Sequence, residues 1–137
     1  MIVIDSSVVF KWFNSNEVDT DKAIAIWQDH ADKKILIQVP DLIIYELANA
    51  WATKSKLSIK EIKNNLDAFF ESKLEMINIT LDLVNKSTAF SKKYSVSVYD
   101  AIYAVLAKER GSSLVTADKK FVEKINLPFV KLLEEYS

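Results

Sequence analysis

A three-layer α/β/α sandwich around a central parallel sheet is the fold class this sequence predicts. Three observations carry it. Short apolar runs rich in β-branched residues alternate with longer stretches of helical period, the pattern of strands joined by crossover helices. Only one Gly and two Pro occur in 137 residues, with no repeat or low-complexity stretch, so residues 1–137 read as a single domain without an interior linker. Half of the residues are apolar and 27% are charged, enough for one core to be buried without cross-links.

The elements follow in order. MIVID is a short buried strand closed by Asp5. SSVVFKWF offers a Ser cap and a helical turn or two. Asp21 to Ala31 spaces Ala23, Ile24, Ile26 and Trp27 as a helix does. ILIQV, residues 35–39, is a second strand stopped by Pro40, and Asp41 caps a helix to about Lys54 with Ile43, Leu47, Ala50 and Trp51 on one face. Ser58 begins another helix with Ile59, Ile62, Leu66 and Phe69 or Phe70 inward. LEMINI, residues 74–79, is a third strand. Thr80 caps a helix whose inward stripe reads Leu81, Val84, Thr88 and Phe90 or Ser91. Tyr99 to Arg110 is a strongly apolar helix stopped by Gly111. SSLVTAD is a fourth strand ending at Asp118, DKKFVEKI a short helix, and PFVKL a last strand. Helices fall on both faces of one sheet.

The bulk numbers exclude several classes. With no Cys, disulfides and thiolate metal sites are ruled out, and an intracellular, cytoplasmic location is the expectation. MIVIDSS lacks the basic start and apolar stretch of a secretory signal, and no apolar run approaches the ~18 residues of a membrane span. A formal net charge of −1 argues against a simple nucleic-acid binder that works by bulk charge. Local clusters matter more: Lys54, Lys56, Lys60 and Lys63 form one, and Lys119, Lys120 and Lys124 another, either solvated helix faces or contacts for an anion.

Residues 95–107, SVSVYDAIYAVLA, set one carboxylate, Asp100, inside a nearly apolar run. An ionised acid there needs a partner or a purpose. In open α/β sheets ligands gather at the carboxyl ends of the strands. Asp5 ends the first strand and Asp118 follows the fourth. Asp100 opens the helix that leads into the fourth strand, which places it at the same edge. Glu46, in the second turn after the second strand, has Leu42, Ile43 and Ala50 as same-face neighbours and so points along the apolar side. Each acid also has an ordinary explanation. Asp118 and Asp5 can be helix N-caps, Asp100 can close a capping box with Ser97, and Glu46 can sit at a boundary by accident.

Together the four acids carry an electrostatic cost. Two like unit charges ~4 Å apart repel by about 4 kcal/mol at an effective dielectric near 20. Oxygen ligands with no Cys, and with His30 as the only imidazole, select hard ions, Mg²⁺ or Mn²⁺ over Zn²⁺. His30 itself reads as a surface residue with no partner ligand in range. Mg²⁺ held by a few carboxylates and waters handles phosphate, by making a nucleophile of water or by stabilising the oxygens of an in-line displacement. Thr116 and Ser7 can each offer a hydroxyl to this edge, or be a strand-end threonine and a helix cap.

The motifs I-D-S-S-V-V-F-K-W-F, P-D-L-x-x-Y-E-L-A-N-A, Y-D-A-I-Y-A-V-L-A and T-A-D-K-K-F, in this order, resemble those of PIN-domain proteins, most closely the small VapC-like toxin ribonucleases. The resemblance covers essentially the whole chain. It implies a Mg²⁺- or Mn²⁺-dependent endoribonuclease, with Asp5, Glu46, Asp100 and Asp118 on the family's four acidic positions and Thr116 on its hydroxyl position. Asp5 and Asp100 would be the most regular metal ligands, with Glu46 and Asp118 completing the site or holding its waters. It also implies an RNA substrate, a homodimer, and often a cognate antitoxin whose tail enters the cleft. Trp12, Phe13 and Trp51 are candidates for such contacts or for the core. The alternative from another class is a PIN-like module that holds RNA or protein without cutting. A phospho-receiver reading fails, because Ser6 rather than an acid follows Asp5 and no acid ends the third strand.

Overall fold

The computed structural model describes residues 1–137. Strands and helices alternate as β1 (Ile2–Ile4), α1 (Ser6–Trp12), α2 (Thr20–Ala31), β2 (Ile37–Pro40), α3 (Leu42–Thr53) and α4 (Ile59–Glu71), then β3 (Glu75–Ile77), α5 (Leu81–Tyr94), α6 (Val98–Glu109), β4 (Ser113–Thr116), α7 (Lys119–Ile125) and β5 (Val130–Leu132). A single 3-10 turn covers Leu133–Glu135. All strand pairings are parallel, in the order β3-β2-β1-β4-β5. Successive strands step one way from β1 through β2 to β3 and the other way from β4 to β5. Right-handed crossovers then put α1–α4 on one face and α5–α7 on the other, the three layers the sequence predicts. No helix is long and apolar enough to cross a membrane.

Val3, Ile4, Ile37, Val39 and Leu114 are fully buried. Helix α6 is the central helix: Ala101 to Ala107 are buried without a break, which is why its sequence is apolar all round rather than striped. Trp51 is buried and stacks edge-on against Phe10 and Phe13, with ring centroids 5.9 and 5.3 Å away. The Trp12 ring donates through Nε1 to the Ala23 carbonyl at 2.8 Å. These aromatic residues are therefore core or core margin.

Caps fix the helix starts. Ser58 forms a full capping box with Glu61, each side chain meeting the other residue's backbone N–H. Ser58→Ala is expected to lower stability by about 1 kcal/mol, read as a shifted urea midpoint with unchanged slope. Gly111 has φ +63°, the left-handed backbone that ends α6.

The structure corrects several expectations. Strand β2 begins at Ile37, because the Ile35 amide is committed to the Asp29 carbonyl at the end of α2. Strand β4 ends at Thr116 rather than Asp118. Asp5, not a serine, caps α1, and Asp41 stands at the cap position of α3 without a side-chain hydrogen bond. Ile59 is 84% exposed, so the inward stripe of α4 starts at Ile62. In α5, Leu81 is 76% exposed and Thr88 is also exposed; Leu83 and Ser87 face inward instead. Val84 and Phe90 of the expected stripe are half-buried and Phe90 packs on the core, so only Leu81 and Thr88 are displaced; hydropathy does not find Ser87 because it is a serine. His30 is not a loose surface residue. Its Nδ1 accepts from the Ile37 N–H at 3.3 Å and its Nε2 faces the Ser72 carbonyl at 3.2 Å, tying β2 to the end of α4.

Candidate functional site

Strand order reverses between β1 and β4, whose next strands lie on opposite sides. Such a switch point opens a crevice at the carboxyl edge, because the crossovers leave it in opposite directions. The register places Ile4 beside Val115, so one step further Asp5 meets Thr116. There Thr116 donates through Oγ1 to Asp5 Oδ2 at 2.5 Å. Asp5 Oδ1 accepts from the Ser7 amide at 3.1 Å and from the Ser7 hydroxyl. The hydroxyls are themselves oriented from β4's exit: the Ala117 amide donates to Ser7 Oγ at 2.9 Å and the Asp118 amide to Thr116 Oγ1 at 3.1 Å. Two backbone amides thus aim two hydroxyls at one carboxylate. Of roughly four lone-pair positions on that carboxylate, one on Oδ2 remains for a further partner.

The other acids arrive from helices. Glu46 on α3 is half-buried, and its Oε1 accepts from the Tyr103 hydroxyl at 2.5 Å. Asp100 lies in the first turn of α6, placed there by the Ser97 cap, whose Oγ accepts from the Asp100 amide at 3.0 Å. No backbone N–H points at its carboxylate; the Ser97 side chain is the group that supports its charge. Asp118 caps α7, with Oδ1 accepting from the Phe121 amide at 3.1 Å and Oδ2 left over. It is exposed.

The electrostatics tie these groups together. Burial pushes the Asp5 carboxyl up to about 6; the Ser7 and Thr116 hydrogen bonds pull it back, and the charges of Asp100 and Glu46 push it up again. Burial also raises Glu46, against the Tyr103 hydrogen bond and with the Asp100 charge. Asp100 is raised by burial first, lowered by Ser97, and raised by the charge of Asp118. Burial and the three neighbouring acids keep Tyr103 protonated far beyond the ordinary tyrosine range. So Asp5, Glu46 and Asp100 feel one another's charge, while Asp118 reaches the group through Asp100.

The donors of this set are all oxygens. No group of three or more Asp, Glu or His side chains is gathered closely enough to hold a metal ion as the side chains stand, and the acids line none of the cavities beside Trp51, Phe90, Pro128, Tyr136 or His30. An open edge whose free carboxylate oxygens come from separate side chains suits Mg²⁺ or Mn²⁺, which keep several waters, better than an ion that demands a full protein cage. Asp100, Glu46 Oε2, Asp118 Oδ2 and the last position on Asp5 are the atoms that can hold it. Tyr103 is the polar group that sequence reasoning passed over. A tyrosine in an otherwise apolar buried helix was the available signal.

Comparisons with other proteins agree with this fold. The family model described as PIN domain matches residues 2–126. A protein named Ribonuclease VapC3, from Pyrobaculum aerophilum, is 28% identical over 127 residues, covering 90% of this chain and 93% of that protein. Among solved structures, VapC20 of Mycobacterium tuberculosis, described as a sarcin-ricin loop cleaving toxin, superposes with a TM-score of 0.73 at 13% identity, covering 96% of this chain and 98% of the other. VapBC2 of Rickettsia felis, bound to a DNA fragment from its promoter, gives a TM-score of 0.72 at 21% identity, covering 96% and 97%. At these identities the two structures speak for the fold.

Proposed function

The chain belongs to the PIN-domain family, and from that membership we propose that it is a divalent-metal-dependent endoribonuclease, the toxin of a toxin–antitoxin pair. The observation that carries the reading is the mutual charge of Asp5, Glu46 and Asp100 at the β1/β4 switch point. The relative named Ribonuclease VapC3 supports RNA as substrate, and the likeness to VapBC2 supports an antitoxin partner.

Asp5, Glu46, Asp100 and Asp118 would hold Mg²⁺ or Mn²⁺. When bound, the ion supplies neutralising charge at the scissile phosphate and makes water acidic enough to attack near neutral pH. The chain's own groups do the rest. Ser7 and Thr116 hold Asp5 in one orientation, so its remaining lone pair has a fixed direction. Asp100, whose carboxylate takes no backbone hydrogen bond, would meet the ion and its waters. Asp118 keeps Oδ2 for a water on the exposed side of the edge. Lys119 and Lys120 follow Asp118 directly, are exposed and make no ion pair, so they can hold the flanking phosphates. Lys54, Lys56 and Lys60 are similarly free, whereas Lys63 is paired with Asp67 at 3.0 Å.

The test uses wild-type protein with a structured RNA in Mn²⁺, in Mg²⁺ and in EDTA. Cleavage is expected only with metal. Because the ion binds the folded site alone, Mn²⁺ at a hundred times its Kd should add about 2.7 kcal/mol of stability, roughly a 10 °C rise in Tm for a domain of this size. A protein that takes no Mn²⁺ at millimolar concentration and leaves RNA intact would instead be a module that holds RNA or protein without cutting.

A further inference from the structure

The geometry points to Tyr103 as the positioning residue of Glu46, the side chain that decides which oxygen of that acid can meet a cation. The inference rests on the nuclease reading above and deepens it. Tyr103 is 1% exposed, in a helix whose residues Ala101 to Ala107 are otherwise apolar and buried. A phenylalanine would fill the same volume without the need to satisfy a hydroxyl, so the hydroxyl calls for a reason. Its partner is 57 residues away on another helix: the hydroxyl donates to Glu46 Oε1 at 2.5 Å. No other side-chain hydrogen bond joins α3 to α6. Glu46 has three rotatable side-chain bonds and no lysine or arginine within salt-bridge distance. Without the phenol, nothing polar fixes where its carboxylate points.

With one lone pair of Oε1 taken by the phenol, Oε2 is the oxygen free of any hydrogen bond, so Glu46 would offer it to an ion from a fixed direction. Tyr103 is also three residues after Asp100 on α6, on the same helix face. One turn of α6 therefore presents the Asp100 carboxylate and, a turn deeper, the group that orients its counterpart on α3. The spacing between these two acids becomes a property of a helix–helix contact rather than of a free side chain. Outer-sphere partners of this kind change metal affinity or activity by about 10- to 100-fold when removed.

The experiment is a double-mutant cycle read by Mn²⁺ calorimetry, with RNA kinetics beside it. Tyr103→Phe should weaken Mn²⁺ binding about tenfold and lower kcat, with the KM for RNA unchanged. On a Glu46→Gln background the same change should leave the Mn²⁺ Kd where it was, because the two residues act as one unit. Tyr103→4-aminophenylalanine, which keeps an N–H donor at the ring tip, should restore most of the affinity; it also serves if Tyr103→Phe does not fold. A lower Tm in EDTA with an unchanged Mn²⁺ Kd would mean that the phenol only fills the core, and would overturn the assignment. Wild-type protein that neither binds Mn²⁺ nor cuts RNA would overturn the nuclease reading and this inference together. Wild-type protein that does both, beside an unaffected Tyr103→Phe, would remove this inference alone.

Discussion

Asp100→Asn is expected to lower metal-dependent RNA cleavage by about 1,000-fold, a barrier increase of ~4 kcal/mol, while the protein stays folded. Two features of Asp100 make both halves of this outcome follow. Its carboxylate receives no backbone hydrogen bond, and what support it has comes from the Ser97 side chain; the Ser97 cap on the Asp100 amide is one that asparagine keeps. Its ionised form is opposed by burial and then by the charge of Asp118, so a neutral amide relieves strain in the metal-free protein. An amide oxygen has no net charge to offer a hard cation, however, and the remaining acids are already partly committed to Ser7, Thr116, Tyr103 and Phe121. Single-turnover cleavage in Mn²⁺, beside thermal melts in EDTA, separates the two effects. Equal cleavage by the variant and the wild type would remove Asp100 from the site. Lost cleavage with a collapsed melt would make it a structural residue.

The parts of this site that the sequence disclosed are those set by chain direction. Asp5 and Asp118 follow strands whose apolar runs are unambiguous, and a parallel sheet sends both exits to one edge. Asp100 was legible because S-V-Y-D announces a helix start, and the cap is there. Glu46 was legible from the apolar neighbours on its helix face. What escaped was whatever depends on a partner far along the chain. The Tyr103–Glu46 bond joins α6 to α3, and no local period signals it. His30 reads as solvent-facing until β2 and α4 are brought to either side of it. In α5, Phe90 packs on the core as its spacing expects, whereas Ser87, fully buried, sits where a hydropathy count expects an apolar residue. Ile59 has the right spacing for α4's stripe, yet exposure shows that the core does not extend to it. Spacing fixes the face of a helix but not how far along that face the neighbouring layer reaches.

The second large effect concerns Asp5, whose carboxyl is raised from 3.8 to about 6 on folding. An acid with a higher pKa in the folded state keeps its proton where the unfolded chain has released it. Stability is therefore unaffected below about pH 4, falls as the pH rises from about 4 to 6, and stays low above that. At about 1.4 kcal/mol for each tenfold change, the fall due to Asp5 is ~3 kcal/mol. Glu46 and Asp100, also raised, act in the same direction. Asp5→Asn removes the titration but keeps the cap, since an amide oxygen can still accept from the Ser7 amide. In EDTA at pH 8 the variant should exceed the wild type by up to ~3 kcal/mol, less what the amide loses at Thr116. Near pH 4 that advantage should vanish. Saturating Mn²⁺ should reverse the order at pH 8, because only the carboxylate form gains from the ion. Urea titrations at pH 4, 6 and 8, with EDTA and with Mn²⁺, read all of these arms. Parallel pH profiles for the two proteins would mean that Asp5 is a helix cap and nothing more. A variant that is more stable when metal-free and less stable when loaded would mean that the folded chain bears the cost of an acid kept at the switch point for a cation.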